Sequence, residues 1–516
     1  MARETVTVKL PRCDPGRPCR VAWFVELNDD DTAAAASIGD VADCTARADA
    51  QVRNVLRGVM AQRRSAAAAF DYVAALSPET KANCWSLAES AGHEGWGRMQ
   101  GLLGSYRWDW TDLRAALPAL AVAWIPDTEQ DLIGPGIAID ETAQLKHGDA
   151  TACVAPQHAG CTGKVENCVT TVFSAYVTAD GQAWADFDVY MPDRWARDFP
   201  RRRAAGVPDD LQFATKPQLA MRQLGRLTAA GLPAKWAAFD EVYGRSEDLR
   251  KKAARAGLAY VAIIPRDYQV TLPSGTAIRA DQAVKDAVFE RRSCGNGSKG
   301  PRYSDWAMTA TGIPGQYLLI RRLISRPDQM TFCLCWAPPG RPATMTYFIT
   351  IAGRRWPVEE TFKTGKDTLG WDQSQARTWD GACRHTALSA LAQLRACAIR
   401  GALTGRLTLP AGHGEDHAGS APAGDGDVRD ADLQIPLGDA PVPDRGGQPR
   451  PPGITPIKLS LAETARLASL ARQHTTGLIT RARLAFALRW SLRRRLHQAT
   501  ARWHHYSARL LAAGTG

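Results

Sequence analysis

Gly136-Ile137-Ala138-Ile139-Asp140 and, one hundred residues on, Lys235-Trp236-Ala237-Ala238-Phe239-Asp240 decide the fold. Each is a short apolar run ending in a carboxylate, the pattern of a buried strand whose C-terminal end opens onto a site. Between them Val169 to Thr178 is β-branched and aromatic. The turn Ala179-Asp180-Gly181-Gln182 and a second run from Ala183 to Met191 complete a β-hairpin. A helix from about Lys216 to Ala230 leads into the second carboxylate-ended run. A helix from about Glu247 to Ala256 and the strand Ala259 to Ile264 follow it.

Three antiparallel strands followed by alternating helices and parallel strands is the order of an RNase H-like α/β fold. In that layout the first and fourth strands are neighbours, so Asp140 and Asp240 emerge side by side at one sheet edge, and a third carboxylate comes from a later helix. From Asp267 to Ala343 the alternation stops. Two β-rich runs, Gln316 to Ile324 and Met330 to Trp336, mark a β-rich insertion that interrupts the catalytic core. Beyond it lies Arg354-Arg355-Trp356-Pro357-Val358-Glu359-Glu360-Thr361-Phe362-Lys363-Thr364-Gly365-Lys366, with Pro357 suited to a first helical turn. Offsets of four and seven put Glu359, Lys363 and Lys366 on one helix face.

Working outward, Ala66 to Ile125 reads as several short helices, with Trp85, Leu87 and Ala88 in one and Met99, Leu102 and Leu103 in another. The stretch Leu407 to Gly453 has no aromatic residue but eight prolines and nine glycines, too little apolar surface to offset its ordering entropy, and reads as a flexible linker. From Ile454 to Gly516 eleven basic residues face the single acidic Glu463, in helices around Leu461 to Arg472 and from Thr480 to about Leu510. The second carries Arg493, Arg494 and Arg495, with Leu484, Leu488, Leu492 and Leu496 on one face. The expected division is an α-helical N-terminal domain over 1-130, catalytic core over 131-266 and 344-403, the insertion over 267-343, the linker over 404-453, and a basic helical tail over 454-516.

The chain has 516 residues, enough for about three structural units. No stretch approaches the ~18 consecutive apolar residues of a membrane span, and the N-terminus lacks the apolar segment of a secretory signal. A cytoplasmic, nucleoid-associated protein without a membrane partner is expected. The net charge of +11, concentrated behind an acidic linker, points to a polyanionic partner, most simply double-stranded DNA. The twelve cysteines include no Cys-x-x-Cys pair and read as reduced thiols. Cys153, Cys161 and Cys168 with His158 match no zinc spacing.

Clustered carboxylates can hold two divalent ions about 3.5–4 Å apart, one activating the nucleophile and one stabilising the leaving oxygen of a phosphodiester. Mg²⁺ prefers oxygen ligands, which such a set supplies. Four elements carry a resemblance: Ile139-Asp140-Glu141-Thr142, Gly163-Lys164-Val165-Glu166-Asn167-Cys168, Asp240-Glu241-Val242-Tyr243-Gly244, and Arg355-Trp356 followed by Glu359-Glu360 and Lys363. Together they resemble the DDE-superfamily transposases of bacterial insertion sequences, and within them the seven-hundred-and-one insertion-sequence family, over about Trp85 to Leu391.

The resemblance implies a DNA transposase in which Asp140, Asp240 and Glu359 are catalytic and hold two Mg²⁺ or Mn²⁺ ions. It cuts insertion-sequence ends and joins them to target DNA, with self-association in the DNA complex. Arg355 and Lys366 fall where related enzymes place a signature Arg and Lys. Lys363, Lys146, Lys164, Arg493, Arg494 and Arg495 complete the expected DNA contacts. Ala352 stands where a tyrosine is usual, and Ala143 to Gly148 depart from the family pattern. These departures support an alternative, a catalytically inactive, decayed or repurposed transposase-derived DNA-binding protein. A nuclease without strand transfer is a third reading. Of each adjacent acidic pair, the first member is expected at the site rather than Glu141, Glu241 or Glu360. Trp306 is either a base-stacking or a core residue, and His385 beside Arg384 either touches DNA or packs inside.

Overall fold

The computed structural model describes residues 37–128, 133–285, 287–297, 300–410 and 456–513. In chain order its strands are β1 (Gly136–Leu145), β2 (Ala155–Ala159), β3 (Lys164–Val177), β4 (Gln182–Val189), β5 (Trp236–Phe239), β6 (Ala259–Ile264), β7 (Gln269–Thr271), β8 (Ala277–Arg279), β9 (Glu290–Gly297), β10 (Gly300–Ala310), β11 (Gln316–Arg322) and β12 (Met330–Trp336). Apart from the small β7–β8 ribbon they form one mixed ten-stranded sheet in the order β2-β3-β1-β5-β6-β12-β11-β10-β9, with β4 also paired to β3. The β1–β3 pairing is antiparallel, whereas β1–β5 and β5–β6 are parallel. This large mixed sheet is consistent with the RNase H-like order expected from the sequence. Gly136 is required here, because a Cβ would overlap the ring of Trp236 on the neighbouring strand.

The β-rich insertion lengthens the core sheet instead of standing apart from it. β12 pairs antiparallel with β6, and β11, β10 and β9 follow outward. The β9–β10 hairpin gave no sequence pattern, since Glu290 to Gly297 carries charged, small and glycine residues in place of apolar alternation.

Helices Ile38–Val59, Arg63–Ala75, Cys84–Ser90, Gly97–Leu103 and Trp110–Trp124 precede the sheet. The first of them was not anticipated. Most of the helix Trp379–Leu403 is buried on every side, as suits a helix sandwiched between the sheet and other helices. It packs on β4, on Ile38–Val59, on Trp110–Trp124 and on Leu461–Thr475. One hydrophobic core runs from Val41 through the sheet to Leu488. The basic tail is therefore docked: Leu484, Leu488 and Leu492 of the helix Arg481–Ala513 are buried, as their four-residue spacing requires. Most of the linker, from 411 to 455, lies outside the described residues. Among the described residues no helix is long and apolar enough to cross a membrane.

A register shift between Ser174 and Ala175 breaks the β3–β4 ladder. The N–H of Trp184 on β4 donates instead to Gln393 Oε1 at 2.9 Å, and Gln393 Nε2 donates to the Thr361 carbonyl at 3.0 Å. Gln393 is fully buried, so this one side chain joins the central helix to β4 and to the helix Pro357–Lys363. Gln393→Leu keeps the volume and leaves two buried backbone groups unpaired. It is expected to cost about 2–4 kcal/mol in urea unfolding, and a loss under 1 kcal/mol would show that the bridge does not hold these elements together.

Candidate active site

The parallel register pairs Ile139 with Phe239, so the next residue on each strand is an aspartate. β5 stops there while β1 continues, and Asp140 remains in the ladder opposite Phe173 of β3. Asp240 turns the chain into the short helix Glu241–Gly244, its Oδ1 accepting from the Tyr243 N–H at 3.2 Å. That turn lies close against β6, because a Cβ on Gly244 would overlap the Ile263 carbonyl. Glu359 is on the helix Pro357–Lys363, which follows the helix Met345–Arg355. Arg355 spans the gap: its Nη1 lies 3.3 Å from Asp140 Oδ2 and its Nη2 3.2 Å from Glu359 Oε1. Residues separated by more than two hundred positions thus meet at one sheet edge.

The electrostatics are those of crowded negative charge. Burial first, and then Asp240, pushes Asp140 up to about 7, although Arg355 opposes the shift. Burial, and then Glu141, raises Asp240 to about 6. Glu141, set aside by the alternation of strand side chains, therefore belongs to the cluster. Its Oε1 is 2.6 Å from Lys216 Nζ, and its Oε2 accepts from the Tyr243 hydroxyl at 2.5 Å. The β5 pairing ends at Ile139, and the tips of Lys216 and Tyr243 meet Glu141 beyond that point. For the other pairs the first member faces inward: Glu241 pairs with Arg245, and Glu360 accepts from Gln182 Nε2.

The basic residues divide. Lys363 and Lys164 are exposed, and Lys366 is half-buried. The chain widens into a π-helical turn over Thr364–Thr368, with Gly365 seated directly on the Trp184 ring. The seven-residue offset no longer superimposes Lys366 on Glu359. Lys146 is turned inward, its Nζ donating to the Ser374 carbonyl at 2.6 Å, and burial pulls its ammonium down to about 8.

Consecutive helical residues are about 100° apart, and the arginine triplet is divided accordingly. Arg493 is exposed over the Trp490 ring, whereas Arg494 pairs with Glu463 at 2.9 Å. Arg495 is only 6% exposed beside the Ile457 carbonyl, which removes it from the DNA-contacting set. Trp306, 2% exposed, is a core residue. His385 is also internal, between the Tyr72 hydroxyl and the Trp371 carbonyl, and burial lowers it to about 4, so it stays neutral. Arg384 is buried too and donates to the carbonyls of Gly104 and Trp108. Cys153 and Cys168 are buried thiols and Cys161 is exposed.

The donor chemistry at the edge, carboxylate oxygens without His or Cys, suits a hard divalent cation. Among the described residues no three His, Cys, Asp or Glu side chains converge as a metal-holding set. The guanidinium of Arg355 lies between Asp140 and Glu359, where positive charge is most favoured.

No curated protein matches the chain. Residues 54–307 match the family model described as DDE superfamily endonuclease, a span that takes in Asp140 and Asp240 and stops before Glu359. The match supports a DDE transposase-like family, a transposase-type nuclease activity and DNA as the substrate.

Proposed function

We propose that the protein is a DNA transposase of the insertion-sequence type that cuts element ends and joins the freed 3′ hydroxyls to target DNA. The observation that carries this reading is that Arg355 bridges Asp140 to Glu359 while Asp240 and Glu141 crowd Asp140 with negative charge, in a chain whose match supports DNA as its substrate. Asp140 and Asp240 hold negative charge that burial disfavours, and a divalent pair would relieve it. Two bound Mg²⁺ or Mn²⁺ ions would activate the attacking oxygen and stabilise the leaving one. Glu359 completes the ligand set, and Glu141, fixed by Lys216 and Tyr243, holds the neighbouring charge in place. Lys363, Lys366 and Lys164 lie on parts of the surface open to phosphates, with Arg493 on the tail helix. Joining two ends in one reaction calls for at least two copies of the chain on the DNA, within the nucleoid.

Two outcomes test the chemistry. Cleavage of a duplex carrying the DNA that flanks the gene should require Mg²⁺ or Mn²⁺, and Asp240→Asn should lower it at least 1,000-fold, of the order of one lost charge-stabilising group, while changing duplex affinity less than threefold. An active Asp240→Asn protein would move the reaction elsewhere. A wild-type chain that binds the ends but never cuts them would favour the inactive, repurposed alternative.

The second outcome concerns pH. Asp140 and Asp240 have folded-state pKa values raised above the ordinary carboxylate range, so their contribution to stability is present at low pH and is lost as pH rises through about 6 to 7. Asp240→Asn removes one of the crowded charges and keeps an acceptor for the Tyr243 N–H. At pH 8 it should raise the metal-free Tm by roughly 1–3 °C, with the gain vanishing near pH 4. Added Mn²⁺ should raise the Tm of the wild type, and that gain should be absent in the variant. A lower Tm for the variant at pH 8 would contradict the charge crowding.

A further inference from the structure

The aromatic surface that an unpaired base would need is absent at Trp306 and present elsewhere. Trp85, on the helix Cys84–Ser90, is 64% exposed, and Trp96 is 41% exposed. Their rings stack with centroids 4.2 Å apart and planes 14° from parallel. Trp96 is fixed by donating its Nε1–H to Gln100 Oε1 at 3.1 Å. Two large stacked rings this exposed to water are costly to leave uncovered.

The rings form one wall of a cleft of about 360 Å³, within the ~300–1,000 Å³ typical of small-ligand sites. Ser374, Gln375, Ala376, Arg377 and Thr378 line the same cleft, which adds an exposed guanidinium and side-chain amide and hydroxyl groups to its apolar rings. A flat apolar face, groups able to hydrogen-bond a heterocycle's edge, and a cation for a phosphate are what one nucleotide of single-stranded DNA presents a need for.

The cleft is also tied mechanically to the carboxylates. The Ser374 carbonyl in its wall holds Lys146 Nζ at 2.6 Å, and Lys146 directly follows β1, the strand that carries Asp140. Nearby, Gln144 of β1 donates to the Trp371 carbonyl at 2.7 Å, and Gln373 accepts from the Ala82 N–H at 3.0 Å, two residues before the helix that bears Trp85.

We propose that the Trp85–Trp96 stack and the Ser374 to Thr378 loop form a binding site for a single unpaired base at a DNA end. This rests on the DNA reading above and adds the feature of the substrate that is recognised. A base on the outer Trp85 face extends the existing stack, and Arg377 meets its phosphate. Stacking of a base on an aromatic side chain is sequence-tolerant, so the site selects unpaired structure over any particular letter.

The test is equilibrium binding of the full chain to two fluorescent 20-base-pair duplexes, one blunt and one carrying a two-adenine overhang. The wild type should prefer the overhang roughly tenfold, in line with one base–aromatic stack. Trp85→Ala should bring the two affinities within twofold of each other by weakening only the overhang duplex. Trp85→Phe, which keeps an aromatic face, should retain most of the preference. Because Trp85 is exposed, its truncation opens no core, and the unchanged blunt-duplex affinity doubles as a folding control. A wild type with no preference, or a Trp85→Ala protein that keeps it, would overturn the base site while leaving the DNA reading standing. A wild type that binds neither duplex would overturn both.

Discussion

Asp140, within β1, and Asp240, just past the end of the parallel strand β5, lie at a place from which water is largely excluded, and much of the surrounding structure offsets the cost of that placement. Burial and mutual repulsion raise both carboxyls. Arg355 answers from one side, bridging Asp140 to Glu359. Lys216 and Tyr243 answer from the other through Glu141. A purely structural protein has little reason to keep Asp140, Asp240 and Glu141 in mutual repulsion, because replacing such groups with apolar residues is often neutral or stabilising. Crowding of this kind is typical of sites that trade stability for chemistry.

A second buried charge group shows the contrast. Asp186 and Asp188 on β4 are met by Arg226 at 2.8 and 2.6 Å, and Asp188 by Arg114 at 3.2 Å. Burial still lifts Asp186 to about 6, but here two guanidiniums, Arg226 and Arg114, are shared by two carboxylates. This group fastens the helices Lys216–Ala229 and Trp110–Trp124 to the sheet, so the N-terminal helices and the carboxylate edge share a frame. Charge is matched where the task is to hold elements together, and left in excess at Asp140 and Asp240.

The strands whose side chains alternate or run apolar were legible in the sequence: Gly136 to Asp140, the hairpin from Val169, Trp236 to Phe239 and Ala259 to Ile264 all have the residue types that only a buried strand uses. The convergence of Asp140 with Asp240 followed from topology alone. Three things were not legible. The period-two rule sets Glu141 aside because it orients a side chain from its own strand alone and says nothing of Lys216 and Tyr243, whose side chains reach Glu141 past the end of the β5 pairing. The β9–β10 hairpin at the sheet's outer end has too few apolar residues to register. The fates of Lys146, Trp306 and Arg495 depend on which neighbour lies across a tertiary contact, something no local pattern encodes.

Continuity of the sheet gives the insertion a role that a detached domain would not have. Its outermost hairpin packs back on the helix that ends in Arg355: a Cβ on Gly353 would overlap the Cys294 carbonyl of β9, and Arg302 of β10 donates to the Gly353 carbonyl at 3.1 Å. The Arg302 guanidinium also lies over the ring of Trp356, the residue between Arg355 and Pro357. Displacement of β9–β10 would therefore act first on the junction between the two helices that carry Arg355 and Glu359. Since Arg355 is the one guanidinium bridging Asp140 and Glu359 among the described ion pairs, a shift at this junction changes how much positive charge the carboxylates already have. The insertion and the carboxylate edge are in this sense one mechanical unit, joined through a glycine with no room for a side chain.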